Sequence, residues 1–457
     1  MEGMEIDTDL STHSILLAAT NHDVPALRDL LRNTSANVQD EDTGFTPLHA
    51  AVAAFEPEPE DDEEEKAGAG KENTQNGEKP QPSAEDMDKA VHTIKVLMAN
   101  GAIWNDLDNN GETPGCIAAR LGLKELYELF VDAGVRAELL LSRLDEYQIL
   151  GGGGESESDE DEEEGDGEEI QVVEGEGLEG YEMVQDESGK GEDLSASGVV
   201  VEAVEEGAEK ESEKEEGAPA NPEVKSAEYL ASDLTFEGDR LLDADKNGVM
   251  MAWETSIMQR SADLLLPKEG LRVLNVGHGM GIIDRIIQGK QPAEHHIIRI
   301  IQGKQPAEHH IIEAHPAVVK RMKDEGWTEK KGVSVHEGKW QDVVEDLVGQ
   351  NITFDAIYFD TFAEDYKALR EFFSEHVIGL LDSEGRFGFF NGLGADRKIC
   401  YDVYSKVVEL DLFEAGFDTE WEEIPIPDLD ANGEWEGVRR KYWVLDTYRL
   451  PTCKFIG

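Results

Sequence analysis

Two rhythms of apolar residues divide this chain. Over residues 13–55 they recur at helical spacing, at Ile15 to Ala19 and again at Leu27, Leu30 and Leu31, with Asn37 and Asp40 in a turn. Apolar positions three and four apart line one helix face, so a helix–turn–helix is expected there. A closing helix is expected over Val131–Tyr147. From Leu271 onward, short apolar runs alternate with helical patterns. Strands are predicted at Leu271–Val276, His310–Glu313, Val333–Glu337, Phe354–Phe359 and Arg386–Phe390. Helices are predicted at Gly281–Gln288, Pro316–Glu325, Gln341–Val348 and Ala363–His376. This alternation builds βαβ units and a mostly parallel, doubly wound sheet of the α/β class. Phe417–Pro425 and Val438–Leu445 are expected to close it as an antiparallel pair.

Within the helical part, Thr46-Pro47-Leu48-His49-Ala50-Ala51 carries the T-P-L-H-x-A signature of an ankyrin repeat. Threonine and histidine brace the turn into the helix, and proline takes a position that needs no amide donor. The pattern returns at Thr113-Pro114-Gly115-Cys116-Ile117-Ala118-Ala119, 113 − 46 = 67 residues later. Removing a polar insert over about 56–88 leaves 34, close to the ankyrin period of about 33. Two ankyrin-like repeats over 13–147 would thus form a small all-α domain, its second copy lacking the bracing histidine.

Charge sets the remaining boundaries. Acidic residues outnumber basic ones 101 to 41, for a net charge of −60 over 457 residues. Residues 151–220 alone hold 27 acids and 3 lysines, and Glu56 to Glu65 holds 8 acids in 10 positions. Such blocks repel themselves and bury too little to offset chain entropy, so the insert and a linker over 148–225 are expected to be disordered, as are residues 1–12. One large domain, 226–457, remains. No basic stripe exists to neutralise phosphates, which argues against direct nucleic-acid binding. Cys116, Cys400 and Cys453 are too dispersed for a disulfide framework or a zinc site. Neither a secretory h-region nor a run of about 18 apolar residues occurs, so an intracellular, soluble protein away from membranes is expected.

Arg285–Ile298, RIIQGKQPAEHHII, is repeated without change as Arg299–Ile312. This is either a recent duplication or an error in the gene model. Only the second copy runs into an acid, Glu313, so it should supply the next strand, with the first copy bulging out as extra helix or loop. The histidines His295, His296, His309 and His310 come from copying one pair, with no carboxylate or cysteine at ligand spacing, so no metal site is expected.

The candidate chemistry begins at Leu271-Arg-Val-Leu-Asn-Val-Gly277-His278-Gly279-Met280-Gly281-Ile282, a strand entering a glycine-rich turn and a helix. Glycines let a ligand approach the backbone, and the helix start offers free amides. Ile282 stands where a dinucleotide fingerprint needs glycine, so the pattern is G-x-G-x-G, as in S-adenosylmethionine sites. Glu313 follows Gly277 by 36 residues, or 22 without the copy, near the spacing of about 20 for an acid that holds ribose hydroxyls. Asp360 ends the strand Phe354–Phe359, and Glu254 precedes the first sheet strand in a segment able to cover the crevice. Two carboxylates facing one cavity serve as general acid and base, or grip a guanidinium.

Several ordered motifs together resemble the fungal type IV protein arginine methyltransferases, relatives of guanidinoacetate methyltransferase that carry ankyrin-like repeats before the catalytic domain. They are Gly248-Val-Met-Met-Ala-Trp-Glu254, Leu274–Asp284, Glu313-Ala-His-Pro316, Gly338-Lys-Trp-Gln-Asp342, Tyr358-Phe-Asp-Thr361 and Phe389–Asp396. The resemblance is strong over about 226–450. It implies a Rossmann-like class I methyltransferase domain that methylates the internal δ-nitrogen of a protein arginine. It also implies an S-adenosyl-L-methionine site at Tyr229, Met250, Gly277, His278, Gly279, Met280, Gly281, Ile282, Glu313, Ala314, His315, Trp340, Gln341 and Asp360, with Glu254 and Asp360 gripping the guanidinium. His278 departs from the family's usual phenylalanine.

The expected activity is therefore methyl transfer to arginine in a protein, with a large-subunit ribosomal protein the expected substrate. Glu254 and Asp360 would hold positive charge on the outer guanidinium nitrogens and leave the inner one freer to attack. The repeats would contact protein partners, and the enzyme would act as a monomer in cytoplasm and nucleus. Two rivals are a small-molecule guanidino methyltransferase and a catalytically dead ankyrin adaptor.

Overall fold

The computed structural model describes residues 2–57, 82–151, 225–289 and 307–457. Packing divides the chain into one unit of Met1–Gln148 with Asn221–Gly457, and a second of Ile149–Ala220. Residues 152–224 of the predicted linker and the center of the polar insert lie outside the described residues, as do His295 and His296.

Six helices form the N-terminal part: α1 (Glu2–Thr20), α2 (Val24–Leu30), α3 (Pro47–Ala53), α4 (Ala84–Ala99), α5 (Pro114–Leu121) and α6 (Lys124–Gly151). Their core is Ile15, Leu27, Leu48, Ile94, Leu97, Ile117, Leu126 and Phe130. The Thr46 hydroxyl accepts from His49 N, while Thr46 N donates to His49 Nδ1 at 3.1 Å. That leaves His49 Nε2 as the protonated nitrogen, and it donates to Glu112 O at 3.0 Å, tying this cap to the next Thr-Pro turn. At α5 the Thr113 hydroxyl accepts from Cys116 N at 3.1 Å.

Three boundaries differ from expectation. Residues 2–12, expected to be disordered, belong to α1: no proline interrupts the helix that Ile15 and Ala19 anchor. The end of the expected insert, 84–88, begins α4, because Ser83 caps it through Asp86 N at 3.2 Å. The closing helix starts at Lys124 rather than Val131 and runs on to Gly151, through the start of the expected linker.

The second part opens with α7 (Ser226–Ala231) and an antiparallel sheet of β1 (Thr235–Glu237), β2 (Arg240–Leu242) and β3 (Gly248–Met251). A 3-10 turn at Ala252–Glu254 leads into α8 (Thr255–Leu265). Then follow β4 (Arg272–Val276), α9 (Ile282–Ile287), β5 (Glu308–Glu313), α10 (Pro316–Asp324), β6 (Val333–Glu337), α11 (Trp340–Gly349) and β7 (Phe354–Phe359). After β7 come α12 (Tyr366–Glu371), a π-helical turn (Phe372–His376), α13 (Val377–Leu380), β8 (Leu381–Phe389), α14 (Lys398–Glu414), β9 (Phe417–Pro425) and β10 (Thr447–Phe455).

The main sheet runs β6-β5-β4-β7-β8-β10-β9, parallel through β8 and antiparallel at β10. Alternate strand residues feed opposite layers. Val273 and Ala356 meet α8 and α9, whereas Leu274 and Ile357 share a core with α11 and α14. The second copy supplies β5, as expected, while the start of the first copy, Arg285 to Ile287, ends α9. The closing strand is Thr447–Phe455 rather than Val438–Leu445, because residues 426–446 leave the sheet and pack against β2 and β3.

Helix α14 belongs to two cores. Ile399, Val403 and Val407 pack among the N-terminal helices, and Val408 and Leu412 pack under the sheet. A Cβ at Gly115 would lie 1.8 Å from Ile399 Cδ1, so glycine permits this approach. Tyr127 donates to Asp402 at 2.5 Å and Tyr404 to Glu138 at 3.1 Å.

Candidate active site

The sheet changes direction between β4 and β7, and the crevice beyond their carboxyl ends is where open α/β sheets take ligands. Gly277 has φ +93°, and a Cβ there would lie 1.8 Å from Asp360 O, so only glycine lets the two strand ends touch. Gly279 (φ +52°) lies against Met250, and Gly281 (φ +72°) against the His278 ring. Met250 Sδ accepts from Met280 N at 3.2 Å, and Ile282 starts the buried face of α9. The loop is wound so tightly that a side chain at any of these glycines meets something.

Glu313, at the end of β5, forms the loop's floor. Oε2 accepts from His278 N at 2.9 Å and Gly279 N at 3.3 Å, and Oε1 accepts from His315 N at 2.7 Å. Three amides leave about one of its four lone-pair sites open. After Ala314, His315 caps α10: Nδ1 accepts from Ala317 N at 3.2 Å, which leaves Nε2 to donate to Tyr229 O at 3.0 Å. The Tyr229 ring packs 4.8 Å from His315 and 4.9 Å from Phe362. Trp340 Nε1 sits between the oxygens of Glu364 at 2.9 and 3.0 Å, and Gln341 Oε1 is buried without a partner. Trp340 packs edge-on to Phe359, one residue before Asp360.

Beneath the loop lies a cluster that the sequence reading leaves out. Asp284 is fully buried, with His278 Nδ1 at 2.6 Å from Oδ2 and His309 Nε2 at 2.9 Å from Oδ1. Asn275 Nδ2 donates to both carboxylate oxygens and to Gly277 O. Burial alone would push the Asp284 carboxyl up, but His278 and His309 hold it well below its usual range. His309 faces α9, while His310 stacks on His336 at 5.1 Å, as alternation along a strand requires.

Glu254 and Asp360 lie close enough for the charge of Asp360 to act on Glu254. Glu254 is 2% exposed, and its Oε1 accepts from Met251 N at 3.0 Å and from the Tyr442 hydroxyl. Asp360 is partly exposed, yet its Oδ2 is enclosed without a hydrogen-bond partner. Burial raises the pKa of Glu254, and the charge of Asp360 raises it further. Asp360 is raised by burial and then by Asp284 and Glu313. Among the described residues no lysine or arginine pairs with either. Tyr442 is the contact that sequence reading misses: it lies inside the stretch read as a strand, and nothing local marks it.

A family model described as guanidinoacetate N-methyltransferase matches residues 221–422. The chain is 54% identical over 458 residues to protein arginine N-methyltransferase 2 of Aspergillus fumigatus, covering 98% of this chain and 97% of that one. It is 54% identical to the protein of that name from Aspergillus oryzae, covering 99% and 98%. For Gibberella zeae the identity is 45%, covering 95% and 90%.

Proposed function

Because the chain belongs to the protein arginine N-methyltransferase 2 family, we propose that this methyltransferase uses S-adenosyl-L-methionine to methylate the δ-nitrogen of a protein arginine. The substrate is a large-subunit ribosomal protein, met through N-terminal helices that we read as ankyrin-like, and the enzyme works as a monomer in cytoplasm and nucleus. The carrying observation is the pair Glu254 and Asp360: a buried carboxylate beside one whose Oδ2 is enclosed and unpartnered, with no lysine or arginine on either among the described residues. Buried carboxylates without a counter-charge call for a cationic ligand.

The residues present fit the methyl donor. The loop Gly277–Gly281 makes a cradle that side chains would fill, Glu313 keeps an acceptor site open, and Gln341 Oε1 is orphaned. When bound, S-adenosylmethionine supplies a methyl group on an electrophilic sulfonium. The site's acids suit that positive charge as they suit a guanidinium. Arginine keeps its proton to a pKa above about 12, with charge spread over three nitrogens. Glu254 and Asp360 draw that charge onto the terminal nitrogens by charge-assisted hydrogen bonds, which leaves the δ-nitrogen lone pair freer to attack. Transfer would form the nitrogen–methyl bond as the sulfonium–methyl bond breaks and leaves a neutral thioether, and the δ-nitrogen proton would pass to a carboxylate of the pair, whose raised pKa suits it as the base.

Incubation of the full chain with radiolabelled S-adenosylmethionine and a fungal ribosomal extract tests this. The expected result is one labelled large-subunit protein carrying δ-methylarginine. Label in a small molecule would favour the guanidinoacetate-type reading, and no label would leave an adaptor.

A further inference from the structure

We infer that Tyr442 is a positioning residue for methyl transfer: its hydroxyl fixes the rotamer of Glu254 and holds one carboxylate oxygen, so that the other faces the arginine. This rests on the guanidinium-binding reading of Glu254 and Asp360.

Four observations converge on it. Glu254 Oε1 takes both fixed donors, Met251 N and the Tyr442 hydroxyl, and among the described residues no hydrogen bond to Oε2 is found. Tyr442 is itself held from several sides. Its ring stacks on Trp253 at 6.0 Å with an interplanar angle of 27°, and Trp435 meets it edge-on at 5.1 Å. Its segment is pinned to the small sheet: Arg240 donates to Gly433 O at 3.0 Å, and Arg439 N donates to Lys246 O at 3.0 Å. Finally, Gly248 makes room for the ring, since a Cβ there would lie 2.9 Å from Tyr442 Cε1 and 3.1 Å from Cδ1. The glycine opening β3 therefore serves a residue almost two hundred positions later (442 − 248 = 194).

A tyrosine keeps its proton where a carboxylate is adjacent, so it donates and stabilises the ionised acid. Burial and the neighbouring Glu254 charge raise Tyr442's pKa well above its ordinary value. The titratable groups around Glu254 are Asp360, Tyr358, Tyr448 and Tyr442; burial and the charge of Asp360 disfavour its ionised form, and the Tyr442 hydrogen bond offsets part of that effect. Removing it makes Glu254 harder to ionise.

The test uses the full chain, with labelled S-adenosylmethionine and ribosomal extract as methyl acceptor, and measures initial rates against pH. Tyr442→Phe should lower the rate at neutral pH by about tenfold or more and move the acidic limb up by roughly one pH unit. Calorimetric affinity for S-adenosylmethionine should stay unchanged. Gly248→Ala keeps the hydroxyl but crowds the ring away from Glu254, and should show the same rate loss and the same shift. In an E254Q background, Tyr442→Phe should add no further loss. An unshifted limb in both variants, or a full additional loss in the E254Q background, would overturn the inference while leaving the arginine reading intact. A wild-type protein that labels no arginine would bring down both.

Discussion

Asp284 Oδ1 and His309 Nε2 lie 2.9 Å apart, joining the residue just before the first 14-residue copy to a residue of the second. Gln288, which belongs to the first copy, donates to His309 Nδ1 at 2.9 Å. The end of α9 thus comes from one copy and β5 from the other.

Deleting Arg285–Ile298 joins Asp284 to an identical Arg-Ile-Ile-Gln-Gly and leaves β5 untouched. The deletion variant should fold with an unchanged or higher melting temperature. Affinity for S-adenosylmethionine, measured by calorimetry, should be equal or better. A collapsed variant would mean that the extra copy is packed into the domain.

Glu313→Ala strips the acceptor from His278 N, Gly279 N and His315 N together. Hydrogen bonds to charged groups contribute about 1.5–3 kcal/mol each, so S-adenosylmethionine should bind roughly ten- to a hundredfold more weakly. Calorimetry on the folded variant measures this; unchanged binding would remove Glu313 from the cofactor's contacts.

Glu254→Gln keeps the shape, and Oε1 still accepts from Met251 N and Tyr442, but the negative charge is gone. Breaking a buried charge pair costs about 3–5 kcal/mol, so arginine methylation should fall by about 10² or more at saturating cofactor. Cofactor affinity should hardly move. Near-normal turnover would refute the role of charge at this position.

The same pair should make the ligand-free enzyme sensitive to base. Burial raises both folded-state pKa values above the ordinary carboxylate range. A raised pKa means that the folded state holds its proton more tightly, so the contribution is present at low pH and lost as pH climbs through the raised values. Melting temperature without ligand should therefore fall between pH 5 and pH 8.5. Glu254→Gln should flatten that fall and melt higher than wild type at pH 8.5, trading activity for stability. Identical pH profiles for the two proteins would refute the shift.

What the sequence conveyed depended on whether the signal was local. β6 and β7 are legible to the residue because each is a compact apolar run set off by helical neighbours. Gly277, Glu313 and Asp360 are legible because strand ends are where such a sheet presents chemistry, and the structure brings all three to one edge. Helix α14 is obscured because it is apolar on two faces, Ile399 and Val403 toward one core and Val408 and Leu412 toward another, which smears a single-stripe pattern. Val438–Leu445 looks like a strand because its apolar residues fit a pleat; instead Trp443 is buried beside Tyr401 and Tyr448, a destination set by tertiary packing. Asp284 escapes notice because a buried acid matters through its partners, His278 and His309, which are 6 and 25 residues away in sequence (284 − 278 and 309 − 284).

Because α14 is built into both cores, and the loop feeding it leaves β8 beside the crevice, the N-terminal helices cannot swing on a tether. A protein gripped by those helices would present its chain to Glu254 and Asp360 at a set reach. The enzyme would then behave as a ruler, choosing an arginine by its distance from the gripped element as much as by the residues flanking it.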